Sequence, residues 1–188
     1  MADTVIPGTD AYPQDGAELV QLVDEDGAPL GTAPKATVHT ADTPLHLAFS
    51  CHVYGADGRV LVTRRALSKK TWPGVWTNSF CGHPAPGEDF EDAIRRRAQR
   101  ELGLELGTIE SVLPDFRYRA VDASGVVENE VCPVFRAVAA TDPVPAADEV
   151  SEWVWADPAE FRDAVAAAPY AFSPWLVMQL DALAAQGR

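Results

Sequence analysis

Glu128 and Glu130 stand at i and i+2 in the stretch Glu128-Asn129-Glu130-Val131-Cys132, which reads as a β-strand. Side chains of a strand alternate between faces, so the two carboxylates point the same way, two rises or roughly 6.6 Å apart. Val127 and Val131 then fall on the opposite face, a sensible core side. Alone, two acids on one strand face describe a solvated edge as well as a metal-binding acid/base pair. A second group upstream tips the balance: His39 and His46, then Cys81 with His83. Carboxylates with imidazoles make a hard-to-borderline metal site, and a thiol beside them offers proton transfer.

The elements that must gather these residues are legible in the pattern. Glu18 to Val23 reads as a first strand, with Asp24-Glu25-Asp26-Gly27 as its turn. From Leu45 the alternation puts Leu47, Phe49, Cys51 and Val53 on one face and His46, Ala48, Ser50 and His52 on the other. Ala56-Asp57-Gly58 turns the chain into a hairpin partner at Arg59 to Arg64. A Trp-rich segment and a short strand through Ser79 to His83 follow. Glu88 to Leu102 predicts a helix, acidic at its start and arginine-rich toward its end, stopped by Gly103. Strands are expected at about 109–120 and 126–138, joined by the turn Asp122-Ala123-Ser124-Gly125, and again at Glu152 to Trp155. Asp157 and Pro158 start a helix to about Ala168, and Ser173 and Pro174 start a terminal helix to about Ala185. The expected layout is α+β, a mixed sheet flanked by helices in an α-β-α arrangement. It forms one domain over residues 17–188 behind a loose tail over residues 1–16.

Composition bounds the function. A formal net charge of -13 argues against a nucleic-acid or anionic-membrane partner, so an anionic small substrate needs a local basic pocket. Three cysteines in no short-spaced ligand pattern imply reduced thiols. The N-terminus has no basic and apolar leader pattern, and no apolar run approaches membrane-spanning length. A soluble cytoplasmic protein is expected, as a monomer or weak homodimer.

Counting from Gly82 gives five residues to Glu88, seven more to Arg96, then Arg97-Ala98-Gln99-Arg100-Glu101-Leu102-Gly103-Leu104. This resembles the Nudix box, G-x5-E-x7-R-E-U-x-E-E-x-G-U with U a bulky apolar residue. Arg97 and Arg100 stand where that pattern has glutamates, and Ala98 is smaller than its usual residue. Nudix hydrolases gather helix glutamates around metal ions that activate water against a diphosphate. With arginines there, such a site is hard to build. Arg97 could instead grip a diphosphate, and Glu101, one turn on, could hold a single Mg²⁺. An ordinary i,i+4 surface ion pair is the alternative.

The remaining segments resemble type I isopentenyl-diphosphate isomerases, enzymes of Nudix fold, over about residues 18–180. The stretches that carry the resemblance are His39-Thr40-Ala41-Asp42-Thr43-Pro44-Leu45-His46-Leu47-Ala48-Phe49 and Thr63-Arg64-Arg65-Ala66-Leu67-Ser68-Lys69-Lys70. To these are added Trp72-Pro73-Gly74-Val75-Trp76-Thr77-Asn78-Ser79, Cys81-Gly82-His83-Pro84 and Asp115-Phe116-Arg117-Tyr118-Arg119. Glu128-Asn129-Glu130-Val131-Cys132-Pro133 and Phe172-Ser173-Pro174-Trp175 complete them.

The resemblance implies interconversion of isopentenyl and dimethylallyl diphosphates. It implies His39, His46, His83, Glu128 and Glu130 as ligands of one Mn²⁺, Mg²⁺ or Zn²⁺. Glu101 would hold a second ion, Mg²⁺, through the diphosphate, with the Cys81 backbone carbonyl nearby. Cys81 and Glu130 would transfer the protons, Tyr118 assisting Glu130. Lys35, Arg65, Lys69 and Arg97 would contact the diphosphate, and Trp175 would lie against the isoprenyl carbons. His52 and Cys51 are expected to be structural or, for His52, exposed. Cys132 shares the acidic face without an assigned role, and Trp72, Trp76, Trp153 and Trp155 are expected to pack. The competing readings are a Nudix diphosphohydrolase and a metal- or nucleotide-sensing Nudix module.

Overall fold

A hairpin opens the part of the chain described by the computed structural model, residues 18–187. The expected tail over residues 1–16 lies outside the described residues. The hairpin pairs β1 (Leu19–Val23) with β2 (Pro29–Pro34), and a single helical turn, α1 (Lys35–Val38), leads to β3 (His46–Leu47) and β4 (Phe49–Tyr54). Next come β5 (Val60–Arg65), two short strands β6 (Trp76–Thr77) and β7 (Phe80–Gly82), and the helix α2 (Phe90–Leu102). Strands β8 (Leu106–Leu113), β9 (Arg117–Val121), β10 (Val127–Val131), β11 (Val134–Ala139) and β12 (Val150–Ala156) follow. The helices α3 (Pro158–Ala167) and α4 (Pro174–Ala185) end the described chain.

The strands make two mixed sheets, ordered β2-β1-β3-β10-β9 and β12-β5-β4-β11-β8, with β6 on β5 and β7 on β4. The expected long strands at 109–120 and 126–138 are each two strands. Residues 114–116 turn the first, and the second breaks at Cys132-Pro133, because proline has no N–H to continue a ladder. Val131 still pairs with Leu47 in one sheet, whereas Val134 pairs with Ser50 in the other. The same change of sheet occurs at Ala48, between β3 and β4. Both crossings are tied together: Ala48 N–H donates to Val131 O at 2.9 Å and Ser50 N–H to Pro133 O at 3.1 Å.

Helix α2 starts two residues later than expected. Asp89 is its N-cap, its side chain accepting from Glu91 N–H, which leaves Glu88 free to bind Arg96 and the Ala85 N–H. Gly103 ends it at φ 60°, in the left-handed region that a side chain would strain. Ser173 stands at the N-cap of α4 but does not cap with its side chain; its hydroxyl lies 2.7 Å from Thr77 Oγ1.

Both faces of β4 are covered. Phe49, Cys51 and Val53 pack with Leu61, Ile94 and Leu102, on the side of α2. Ala48 packs on the other side with Tyr118, Cys132, Trp175 and Leu176. Cys51 is therefore core, and His52, at 3 % exposure, is structural. His52 Nε2 lies 3.0 Å from Gln179 Oε1 on α4, and the Gln179 amide donates to Ser50 Oγ at 2.8 Å. Of the tryptophans expected to pack, Trp153 is 41 % exposed on the edge strand β12.

Burial, despite the Gln179 contact, drives the His52 pKa down to about 4, so the folded protein keeps this ring neutral. The unfolded chain protonates it near pH 6.5, so acid favours unfolding between pH 6.5 and 4. On the order of 3 kcal/mol of stability is expected to disappear across that window. Urea titrations at pH 7 and pH 4.5 check this: the loss should shrink in His52→Gln, and an equal loss in both proteins refutes it.

Candidate active site and metal centre

The change of sheet brings β3 and β10 side by side, with His46 opposite Glu130. Around Glu130 Oε1 stand His83 Nε2 at 3.2 Å, His46 Nε2 at 3.5 Å and His39 Nε2 at 3.9 Å. The three imidazoles come from the loop after α1, from β3 and from the loop after β7. His46 Nδ1 faces Pro44 O at 3.0 Å; a carbonyl only accepts, so Nδ1 carries a hydrogen, and in the neutral ring Nε2 keeps its lone pair. Nε2 of both His39 and His46 is buried without a hydrogen-bond partner, a costly state that a bound cation would relieve.

Burial pushes the Glu130 carboxyl up, but the surrounding histidines outweigh it and hold the group well below the usual carboxylate range. Burial also takes His83 down to about 4, against the pull of Glu130. Burial pulls His46 down as well, but the Glu130 contact raises it on balance. A divalent ion would require the carboxylate ionised and the imidazoles deprotonated, so it would compete with protons here. His39, His46, His83 and Glu130 thus form a group that could hold a metal ion. Glu128, expected as a fifth ligand, stands outside that four-residue group. Its Oε1 accepts from Thr71 Oγ1 at 2.7 Å and its Oε2 from Tyr118 Oη at 2.6 Å. Tyr118 Oη is also 3.0 Å from Glu130 Oε2, so a single phenolic hydrogen sits between two carboxylates.

A cavity of about 290 Å³ opens beside this group. Every residue expected in the site lines it except His46, which lies behind its wall. Cys81 and the Tyr118/Glu130 pair are both on its lining. Burial pushes the Cys81 thiol up to about 12, although Ser50 and Asn78 both bond the sulfur. Trp175 is almost wholly buried and packs against Trp72 and Tyr118, and its indole N–H donates to Asn78 Oδ1 at 3.0 Å.

Cations collect at one part of the cavity. Lys35 bonds Glu18 at 2.6 Å, Lys69 bonds Glu149, and Arg97 bonds Glu101 and lies 3.6 Å from Glu149. Arg97 is 4 % exposed, so the surface ion-pair alternative does not hold for it. Arg100, the other arginine of the box, is exposed and bonds Glu18. Gly82 admits Arg97 here: a Cβ on it would lie 2.8 Å from Arg97 Cγ. Arg65 donates to the carbonyls of Thr71 and Trp72, and its guanidinium lies 5.3 Å from the Trp175 ring centroid.

Sequence reading missed Glu149, Thr71, Asn78 and Ser50. Glu149 belongs to none of the sequence motifs, and only its tertiary contact with Lys69 and Arg97 marks it. Asn78 lies inside a quoted motif but carries no ionisable group to draw notice. Cys132 is buried behind the site, its sulfur 3.5 Å from Ser50 Oγ.

A Nudix domain family model matches residues 44–176. The chain is 68% identical over 166 residues to the isopentenyl-diphosphate Delta-isomerase of Clavibacter michiganensis subsp. michiganensis, covering 88% of this chain and 86% of that one. It is 65% identical over 168 residues to the protein of the same name from Leifsonia xyli subsp. xyli, covering 88% and 91%. Among solved structures, a protein of Deinococcus radiodurans superposes with a TM-score of 0.68 at 20% identity, covering 88% of this chain and 99% of that one. The MutT protein of Methanosarcina mazei Go1 gives 0.58 at 15% identity, covering 77% and 96%. These two likenesses establish the fold, and the closer sequence relatives the branch. The chain belongs to the isopentenyl-diphosphate Delta-isomerase family of Nudix-domain proteins.

Proposed function

We propose that this protein interconverts isopentenyl and dimethylallyl diphosphates by adding a proton at one carbon and removing one from another. The observation that carries the reading is the shared cavity: two proton-transfer groups, Cys81 and Glu130, line it together with Trp175 and the cations Lys35, Lys69 and Arg97. Two close relatives bearing the isomerase name add to it.

The alkene of the substrate is a poor base, and protonating it develops positive charge on a tertiary carbon. That charge needs a dry, preorganised surrounding. The Trp175 indole supports it through its quadrupole, an effect on the order of 2 kcal/mol when desolvated. The Arg65 guanidinium near the ring gives an example of a cation in such a position. Tyr118 steadies the Glu130 carboxylate by its phenolic contact. In the protonation state described above the transferable proton is on Cys81 and the acceptor is Glu130. Turnover in one direction moves it to Glu130, and the reverse direction starts from there with a thiolate base.

His39, His46, His83 and Glu130 would hold one Mn²⁺, Mg²⁺ or Zn²⁺, with Glu128 adjoining, and Glu101 would hold Mg²⁺ that accompanies the diphosphate. Bound there, these ions would orient Glu130, adjust its acidity and screen the diphosphate charge. Lys35, Lys69 and Arg97 would receive the diphosphate, and Arg65 would reach it by leaving the carbonyls it now bonds. Hydrolysis is disfavoured because Arg97 and Arg100 occupy box positions where glutamates would gather metal ions.

Incubation with isopentenyl diphosphate and Mg²⁺ in D₂O, followed by NMR, is expected to give deuterated dimethylallyl diphosphate without phosphate release. Released phosphate, or no turnover by metal-replete protein, would sink the proposal. Cys81→Ala and Glu130→Gln should each lower kcat by about 10²–10⁴-fold while circular dichroism stays native; near-normal rates reject those roles. Elemental analysis after desalting should find one fewer divalent ion per chain in His46→Ala than in the parent. Unchanged metal content would remove His46 from the ligand set.

A further inference from the structure

Against the Cys81 sulfur lies a chain of buried polar side chains that the reaction as described does not use. Ser50, Asn78 and Gln179 are each fully inaccessible to solvent, and His52 nearly so. Polar groups in such a place are retained at a desolvation cost unless every one is bonded. Here the bonding has a direction.

Gln179 Oε1 can only accept, so the His52 nitrogen 3.0 Å away is the protonated one and donates to it. The Gln179 nitrogen donates to Ser50 Oγ at 2.8 Å. With its oxygen accepting from Gln179, the Ser50 hydroxyl turns its own hydrogen toward sulfur, 3.2 Å from Cys81 Sγ and 3.5 Å from Cys132 Sγ. A second arm ends on the same sulfur. The Asn78 nitrogen donates to Cys51 O at 3.1 Å and Phe80 O at 2.7 Å and also lies 3.4 Å from Cys81 Sγ. Its Oδ1 accepts from Trp175 Nε1 at 3.0 Å and faces Cys81 Sγ at 3.4 Å. The indole N–H is a donor only, so it fixes that amide in turn.

We propose that Ser50 and Asn78 are positioning residues that aim the Cys81 sulfur at the substrate, Ser50 locked by His52–Gln179 and Asn78 by Trp175. Ser50 offers the sulfur a donor and Asn78 an acceptor, so the cysteine is held in both of the forms that a proton-transfer cycle passes through. Gln179 and His52 are absent from the cavity lining and act only through Ser50. This inference rests on the isomerase reading.

Isotope effects test it, because they are a property of active molecules and do not change when some of the protein is lost to misfolding. Isopentenyl diphosphate deuterated at C2 reports cleavage of the C–H bond, and turnover in D₂O reports proton donation. Ser50→Ala is expected to lower kcat about 10- to 100-fold, as a misplaced reacting group does, with KM nearly unchanged. It should enlarge the solvent isotope effect, since Cys81 gives the proton to isopentenyl diphosphate, whereas Tyr118→Phe, on the Glu130 side, enlarges the C2 deuterium effect. Gln179→Leu should repeat the Ser50→Ala pattern more weakly, and Ser50→Thr, which keeps the hydroxyl, should restore the parent values. An unchanged kcat, a fall in kcat with both isotope effects unmoved, or equal growth of both overturns the positioning role while the parent still isomerises its substrate. No isomerisation by the parent protein would overturn the underlying reading and this inference together.

Discussion

The paired change of sheet at Ala48 and at Cys132-Pro133 is the constraint on which the site depends. Two neighbouring parallel strand pairs leave one sheet and enter the other at the same level, linked by the Ala48-to-Val131 and Ser50-to-Pro133 hydrogen bonds. His46 and Glu130 lie just before the crossing, in one sheet. Ser50 lies just after it, in the other, where β7 brings Cys81 opposite. Two continuous strands would carry these residues on a single sheet face. The corner instead sets the acid and the thiol on walls that face a common space. Pro133 serves this geometry by removing the donor that would continue the ladder.

Charge balance governs the polar part of the cavity. Lys35, Lys69 and Arg97 are matched by Glu18, Glu101 and Glu149, so the half-buried lysines and the buried arginine are held in place by partners that satisfy them. Unpaired, they would strain the fold; fully neutralised, they attract an anion only weakly. A divalent ion held at Glu101 would shift that balance toward an anionic ligand. Arg97 shows how a box built around glutamates is put to another use. It keeps the helix and the loop geometry at Gly82 and exchanges a metal-gathering side chain for a buried cation.

Much of this was readable from residue order because the informative signals are local. The helix at Phe90–Leu102 announces itself by its charge gradient and its terminal glycine, and the resemblance supplied the site residues that line the cavity. What escaped the sequence is what depends on tertiary placement. A proline after Cys132 marks a break but not a passage into a second sheet. Alternation in β4 suggests one apolar and one polar face, and His52 reads equally as exposed. Burial on both faces is decided by α4, which packs from the far end of the described chain. Glu149 and the polar chain behind Cys81 likewise have meaning only through partners remote in sequence.

The residues of the site come from nearly every part of the fold, and the contacts that join them are long. Thr43 Oγ1, for example, donates to Val127 O across 84 residues, beside the strands that carry His46 and Glu130. Long-range pairings of this kind must overcome a large loop-closure entropy and form late, after local hairpins and helices. A partly folded chain therefore has neither the cation cavity nor the grouped imidazoles. For this molecule the working site and the remote pairings are therefore gained and lost together.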